Sequence, residues 1–168
     1  TSQNRLNTMH FRTYLLLLVV CLLCSACSVN PVTGEKQLLF TSKSKDIEIG
    51  REQYKPAQQS QGGQYNLDPR LRAYVSGVGK KLAAVSDQPN LPYEFVVLNN
   101  SVPNAWALPS GKIAVNRGLL TQLENEAQLA AVLSHEIVHA AARHGAQRMR
   151  DNILMQAGMA GLGLTLAD

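Results

Sequence analysis

The chain has 168 residues, 45% of them hydrophobic and 17% charged, which suits one globular domain with a buried core and excludes a disordered or fibrous chain. Its net charge of +4 comes from Lys and Arg scattered along the sequence, and only 5% of residues are aromatic. Neither a basic run nor a stacking platform therefore points to nucleic acid as a partner.

The chain opens with Thr1, and Met9 is the candidate initiator, which leaves residues 1–8 as candidate upstream translation. Arg5, His10 and Arg12, with no acidic residue among them, precede an apolar run from Tyr14 to Ala26. This is the layout of a secretory signal, and the run is short of the roughly 20 residues that a membrane span needs. It ends Leu23-Cys24-Ser25-Ala26-Cys27. Small residues before a cysteine resemble the lipobox of bacterial lipoproteins, although Cys24 stands where Leu is usual. Cleavage before Cys27 is expected to leave it lipidated, and Ser28, in place of Asp, favours the outer membrane by the same resemblance. All three cysteines lie between 21 and 27, so the mature chain keeps one acylated cysteine and no disulfide framework.

Residues 28–43 carry turn residues without periodicity and read as a tether. A helix is expected from Ser44 to about Gln59, with Asp46 and Glu48 in its first turn, where negative charge suits the helix dipole. Ser60–Asn66, containing Gly62 and Gly63, reads as a loop. Asp68-Pro69 reads as N-cap and first helical residue of a second helix, with Leu71, Tyr74, Val75, Val78, Leu82 and Val85 forming a buried stripe. Tyr93–Leu98 is rich in β-formers and ends in Asn99-Asn100, as a strand bounded by a turn would. Ala105–Leu108, the turn Pro109–Gly111 and Lys112–Asn116 predict a hairpin, and Leu119–Leu123 a short helical turn. Asn125 with Gln128 resembles a capping box and opens the longest helix, expected to run to about Met149. The tail Asn152–Ala167 is apolar and rich in small residues, suiting a helix packed closely on its neighbours. No internal repeat is present.

Within the longest predicted helix stands His135-Glu136-Ile137-Val138-His139, the HExxH pattern. Residues four apart on a helix differ by about 40° around the axis, so the two imidazoles can converge on one ion. Zn²⁺ takes neutral imidazoles, lowers the pKa of a bound water to about 7, and needs a carboxylate to accept its proton. Glu136 is placed to do so. His135 and His139 are thus candidate metal ligands and Glu136 the candidate general base. His144 lies nine residues beyond His135, about 900° of helical rotation, which puts it on the opposite face while the helix continues. Together with Arg143 it is expected to pin the helix to a neighbour. Metzincins are excluded, because Ala142 and Gly145 stand where that class has Gly and His.

The run Val132-Leu133-Ser134-His135-Glu136-Ile137-Val138-His139-Ala140-Ala141-Ala142-Arg143-His144 resembles the active-site helix of metallopeptidase family 48. So do Asn104-Ala105-Trp106-Ala107-Leu108 and the hairpin through Val115 and Gly118-Leu119-Leu120, with Trp106 where the family more often has Phe; the resemblance covers roughly residues 68–150. With its lipoprotein-like leader, the chain is most similar to the periplasmic, BepA-like branch, whose members act in outer-membrane protein quality control. The resemblance implies an α+β, zincin-like fold, its active-site helix packed on a small β-sheet with flanking helices across residues 44–168. It also implies one zinc ion and a third ligand, a Glu on a later helix. Beyond His144 the acidic residues are Asp151 and Asp168. The third ligand is therefore expected past Asp168, the chain reads as C-terminally truncated, and these residues alone are expected to be inactive. Asn104, Ala105, Trp106 and Ala107 are expected to form an exposed edge strand that binds substrate by strand addition, with Trp106 filling an apolar pocket.

The function expected is that of a zinc endopeptidase, anchored through Cys27 at the periplasmic face of the bacterial envelope and acting on misfolded or unassembled proteins. The alternative is a catalytically silent lipoprotein of the same fold that binds or chaperones clients.

Overall fold

A computed structural model of the chain describes residues 27–161, so the expected signal segment before Cys27 and the end of the tail lie outside the described residues. Strands β1 (Cys27–Val29) and β2 (Lys36–Leu38) pair antiparallel. This segment was expected to lack regular structure. Asn30 closes it instead, its Oδ1 accepting from Val32 N at 2.9 Å and Thr33 N at 3.3 Å, while Gly34 takes φ +72°. A local side-chain turn of this kind leaves no hydrophobic period to read.

Helix α1 (Lys43–Ser60) starts within a residue of its predicted place and is capped by Ser42, whose hydroxyl accepts from Lys45 N. Helix α2 (Pro69–Ala83) is capped by Asp68, which accepts from Arg70 N and Leu71 N as the Asp-Pro pair implies. Its inner face buries Val75 and Val78. Val85, expected on that stripe, is 83% exposed because the helix ends at Ala83 and the chain turns away.

Strands β3 (Glu94–Leu98), β4 (Ala105–Leu108) and β5 (Lys112–Asn116) form one sheet in the order β3-β5-β4. The expected hairpin is β4 and β5, with Ala105 opposite Val115 and Leu108 opposite Lys112; β3 adds in parallel on the other side. All five residues of the central β5 are buried, as befits a strand covered on both faces. The short helix α3 (Arg117–Leu120) leads to α4 (Glu126–Ala141), where Asn125 Oδ1 caps Gln128 N at 3.0 Å. The Gln128 side chain reaches Glu124 N, not the cap residue's own N–H. Leu129, Leu133 and Ile137 of α4 meet Val75, Val97, Ile113 and Val115 in the core. The architecture is α+β, a helix carrying the HExxH pattern laid against a small mixed sheet.

Two expectations about the C-terminal part need correction. The longest predicted helix is two helices, because α4 ends at Ala141 and α5 (His144–Gly161) starts afresh. The far part of α5, Asp151 to Gly158, is exposed along its whole length and not packed closely on neighbours. No helix among the described residues is long and apolar enough to cross a membrane.

Helix α1 is held to the hairpin turn by close approach at Gly50, where a Cβ would lie 2.2 Å from Pro109 O and 2.7 Å from Ser110 Oγ. Gly50→Ala is expected to cost about 1–3 kcal/mol through overpacking. Gly77, in the interior of α2 with nothing within 4 Å of a Cβ, supplies the contrast: Gly77→Ala is expected to stabilise by about 0.5–1 kcal/mol. Urea denaturation of the two variants reads both signs, with the slope unchanged.

Candidate active site

Helix α4 is two-sided. Leu129, Leu133 and Ile137 face the core, while His135 and His139, one turn apart, face a cleft of about 730 Å³. The opposite wall is β4 and the turn after it, from Asn104 to Pro109; Arg148 and Met149 of α5 close one end. The structure thus brings the two histidines, Glu136 and the predicted substrate strand to one cavity. His135 Nε2 and His139 Nε2 lie 2.9 Å apart with rings nearly perpendicular, at 86°. Two imidazole nitrogens turned toward each other at this spacing, with a carboxylate beside them, fit the donor set that a zinc ion takes. Among the described residues, no group of three or more His, Cys, Asp or Glu is arranged to hold a metal ion.

Glu136 is 8% exposed. Burial pushes its carboxyl above the ordinary range, opposed by the positive charge of His135 and Arg148. Burial, helped by His135 and Arg148, pushes His139 below the usual imidazole value. That direction favours the neutral ring, which is the form able to donate a lone pair to a metal.

Strand β4 is a sheet edge, bonded to β5 on one side only. Asn116 N donates to Asn104 O, so residues 104 and 106 bond across to β5 while the N–H and C=O of Ala105 and Ala107 point to the open side. Trp106 packs edge-on against Tyr54, centroids 6.1 Å apart, and its indole Nε1 is buried without a partner. Tyr54 in turn donates to Ile113 O at 2.7 Å, which ties α1 to the sheet beneath the cleft.

The break between α4 and α5 was not foreseen from the sequence. Arg143 adopts φ +59°, the left-handed conformation that ends helices and is usually given to Gly. Its side chain explains the exception. Arg143 Nε donates to Asp46 Oδ2 and Nη2 donates to Thr41 O, each at 2.7 Å, and Asp46 also accepts from Thr41 Oγ1 at 2.7 Å. Both charged side chains are at least nine-tenths buried. The expectation that Arg143 pins the helix to a neighbour matches this geometry. The expectation that His144 lies on the face opposite His135 does not, because the helix does not continue: after the break, His144 Nδ1 lies 2.5 Å from His139 Nδ1. Arg148 in the cleft wall also escaped the sequence reading, since nothing marks which face of a new helix will look inward.

The family model for peptidase family M48 matches residues 69–168. The chain is 35% identical over 119 residues to the beta-barrel assembly-enhancing protease of Yersinia pestis, covering 60% of this chain and 24% of that protein. It is 34% identical over 119 residues to the protein of the same name in Escherichia coli strain K12, with the same coverage. To the mitochondrial metalloendopeptidase OMA1 of Schizosaccharomyces pombe it is 45% identical over 76 residues, 45% of this chain and 23% of that protein. The chain therefore spans about a quarter of the length of these relatives.

Removing Arg143 strands a buried carboxylate and releases a left-handed residue. Arg143→Ala is expected to cost about 3–5 kcal/mol, measured by chemical denaturation. Arg143→Lys should recover little, since an ammonium lacks the planar fork whose Nε and Nη2 reach Asp46 and the Thr41 carbonyl separately.

Proposed function

This chain belongs to peptidase family M48, and on that premise we propose that it is the metal-binding part of a zinc-dependent endopeptidase of the bacterial cell envelope. The observation that carries the reading is the HExxH pair itself, Nε2 facing Nε2 across 2.9 Å in a cleft whose other wall is an open strand edge. In this reading His135 and His139 hold the ion, together with a third protein donor that the family resemblance assigns to a glutamate on a later helix. Zinc bound there supplies the Lewis acidity that brings a water's pKa near 7 and polarises a peptide carbonyl. Glu136, buried beside the two histidines, would be the group that accepts a proton from the attacking water and hands it to the leaving amine. An extended substrate adds along β4 through the outward N–H and C=O of Ala105 and Ala107, which sets the scissile carbonyl in reach of the histidines.

The envelope assignment rests on the leader, with Cys27 as the lipidated residue, and on the names of the bacterial relatives. Unassembled or misfolded envelope proteins are the proposed substrates.

In the full-length protein, Glu136→Gln should retain stoichiometric zinc while cleavage of casein falls by at least about a hundredfold, because the amide matches the carboxylate in size but accepts no proton. His135→Ala and His139→Ala should each lose the zinc, read by atomic absorption. Full cleavage by Glu136→Gln would overturn the assignment in favour of another base, and zinc without any cleavage in the wild type would favour a client-binding module. Ala105→Pro removes an N–H that β5 does not use. It should raise KM for peptides at an unchanged melting temperature, and unchanged turnover at low substrate would remove β4 from substrate binding.

A further inference from the structure

His139 has two ring nitrogens, and the structure engages both. Nε2 faces His135 Nε2 at 2.9 Å, while Nδ1 faces His144 Nδ1 at 2.5 Å, with the His139 and His144 ring centroids 4.7 Å apart at 70°. These contacts lie on opposite edges of one imidazole. His144 therefore cannot share a centre with His135 and His139 through the nitrogen it presents, and a third-ligand role does not fit this geometry. The geometry points to His144 as the positioning residue for His139: its Nδ1 accepts the Nδ1–H of His139, fixing the ring plane and the tautomer that leaves Nε2 bare toward the cleft. The inference rests on the proposal that His139 holds zinc.

The chemistry is that of ligand orientation at one remove from the metal. A ligating imidazole that binds through Nε2 must carry its proton on Nδ1, and a fixed acceptor for that proton holds the ring in place and raises its basicity. Such acceptors are commonly carboxylates or backbone carbonyls. Here a second imidazole does the work, with its own proton on Nε2. His144 is also anchored well enough for the task. The left-handed turn at Arg143 is locked by the Asp46 ion pair, Ala142 and Ala146 on either side are buried, and Gly145 lies against Pro109, whose Cγ would be 3.1 Å from a Cβ there.

The test compares the full-length wild type with His144→Ala, His144→Asn, His144→Gln and His135→Ala. Zinc affinity is read by competition with a chromophoric chelator, the site's geometry by the visible spectrum of the Co²⁺-loaded protein, and folding by the melting temperature of the metal-free form. His144→Ala should still bind one zinc, with affinity lowered about ten- to a hundredfold and a changed Co²⁺ spectrum, while His135→Ala binds none. Asn carries an acceptor oxygen on Cγ, where His carries Nδ1, so His144→Asn should recover much of the affinity and His144→Gln, whose oxygen is one bond further out, should not. Wild-type affinity in His144→Ala overturns the positioning role, and complete zinc loss there makes His144 a direct ligand. Equal affinities for the Asn and Gln variants show that the loss does not run through the Nδ1 hydrogen bond, and they decide the question even if the Ala variant fails to fold. Absence of zinc from the wild type itself would instead sink the metal reading on which the inference stands.

Discussion

The site depends on one buried ion pair. Asp46, in the first turn of α1, and Arg143, at the end of the HExxH helix, meet at 2.7 Å with both side chains out of water. Burying two charges costs desolvation that further hydrogen bonds must offset, and Thr41 supplies two of them, giving a hydroxyl to Asp46 and a carbonyl to Arg143. The helix dipole at the start of α1 adds to the stabilisation of Asp46. In exchange, Arg143 is held in a left-handed conformation that costs a non-glycine residue about 1–2 kcal/mol. That conformation ends α4, redirects the chain into α5, and brings His144 against His139 and Arg148 to the cleft.

The rest of the cleft follows from a division of labour along two elements. Helix α4 places Leu133, 0% exposed, next to residues that line the cavity, so the same turns that bury the core also present His135 and His139. Strand β4 has β5 on one side and the cavity on the other, which leaves alternate backbone groups unpaired at the place where an extended chain would lie. Tyr54 and Trp106 brace this wall from below, and close packing of Gly50 on the Pro109–Gly111 turn fixes its height relative to α1. The rigid parts are thus the ones that would hold an ion and a substrate backbone.

The match to peptidase family M48 spans residues 69–168, a stretch that includes β4 and both histidines of the cleft. The relatives are about four times as long as the stretch aligned to them. The imidazole pair in this chain supplies two donors, and its geometry gives each ring nitrogen of His139 a distinct neighbour.

The sequence by itself determined the features written in neighbouring residues. Asp68-Pro69 and Asn125 mark helix starts because a side-chain cap bonds N–H groups two or three residues on, and HExxH is legible because one helical turn brings His135 to His139. The two short apolar runs Ala105–Leu108 and Lys112–Asn116 on either side of a Pro-Ser-Gly turn were enough for the hairpin. What only the tertiary structure decided was whatever depends on a partner far along the chain. The parallel pairing of β3 with β5, the docking of β2 on α5 through Gln37–Gln147 and the Leu38 carbonyl–Arg150 hydrogen bonds, and the end of α4 are of this kind. Periodicity favoured one helix through residue 149, since nothing local forbids Arg143 from continuing it. Its partner lies 97 residues away at Asp46, and a buried charge seeking its counter-ion outweighs the small propensity gain of one more helical turn. For that reason the position of His144 could be known only once the fold had brought α1 to the end of α4.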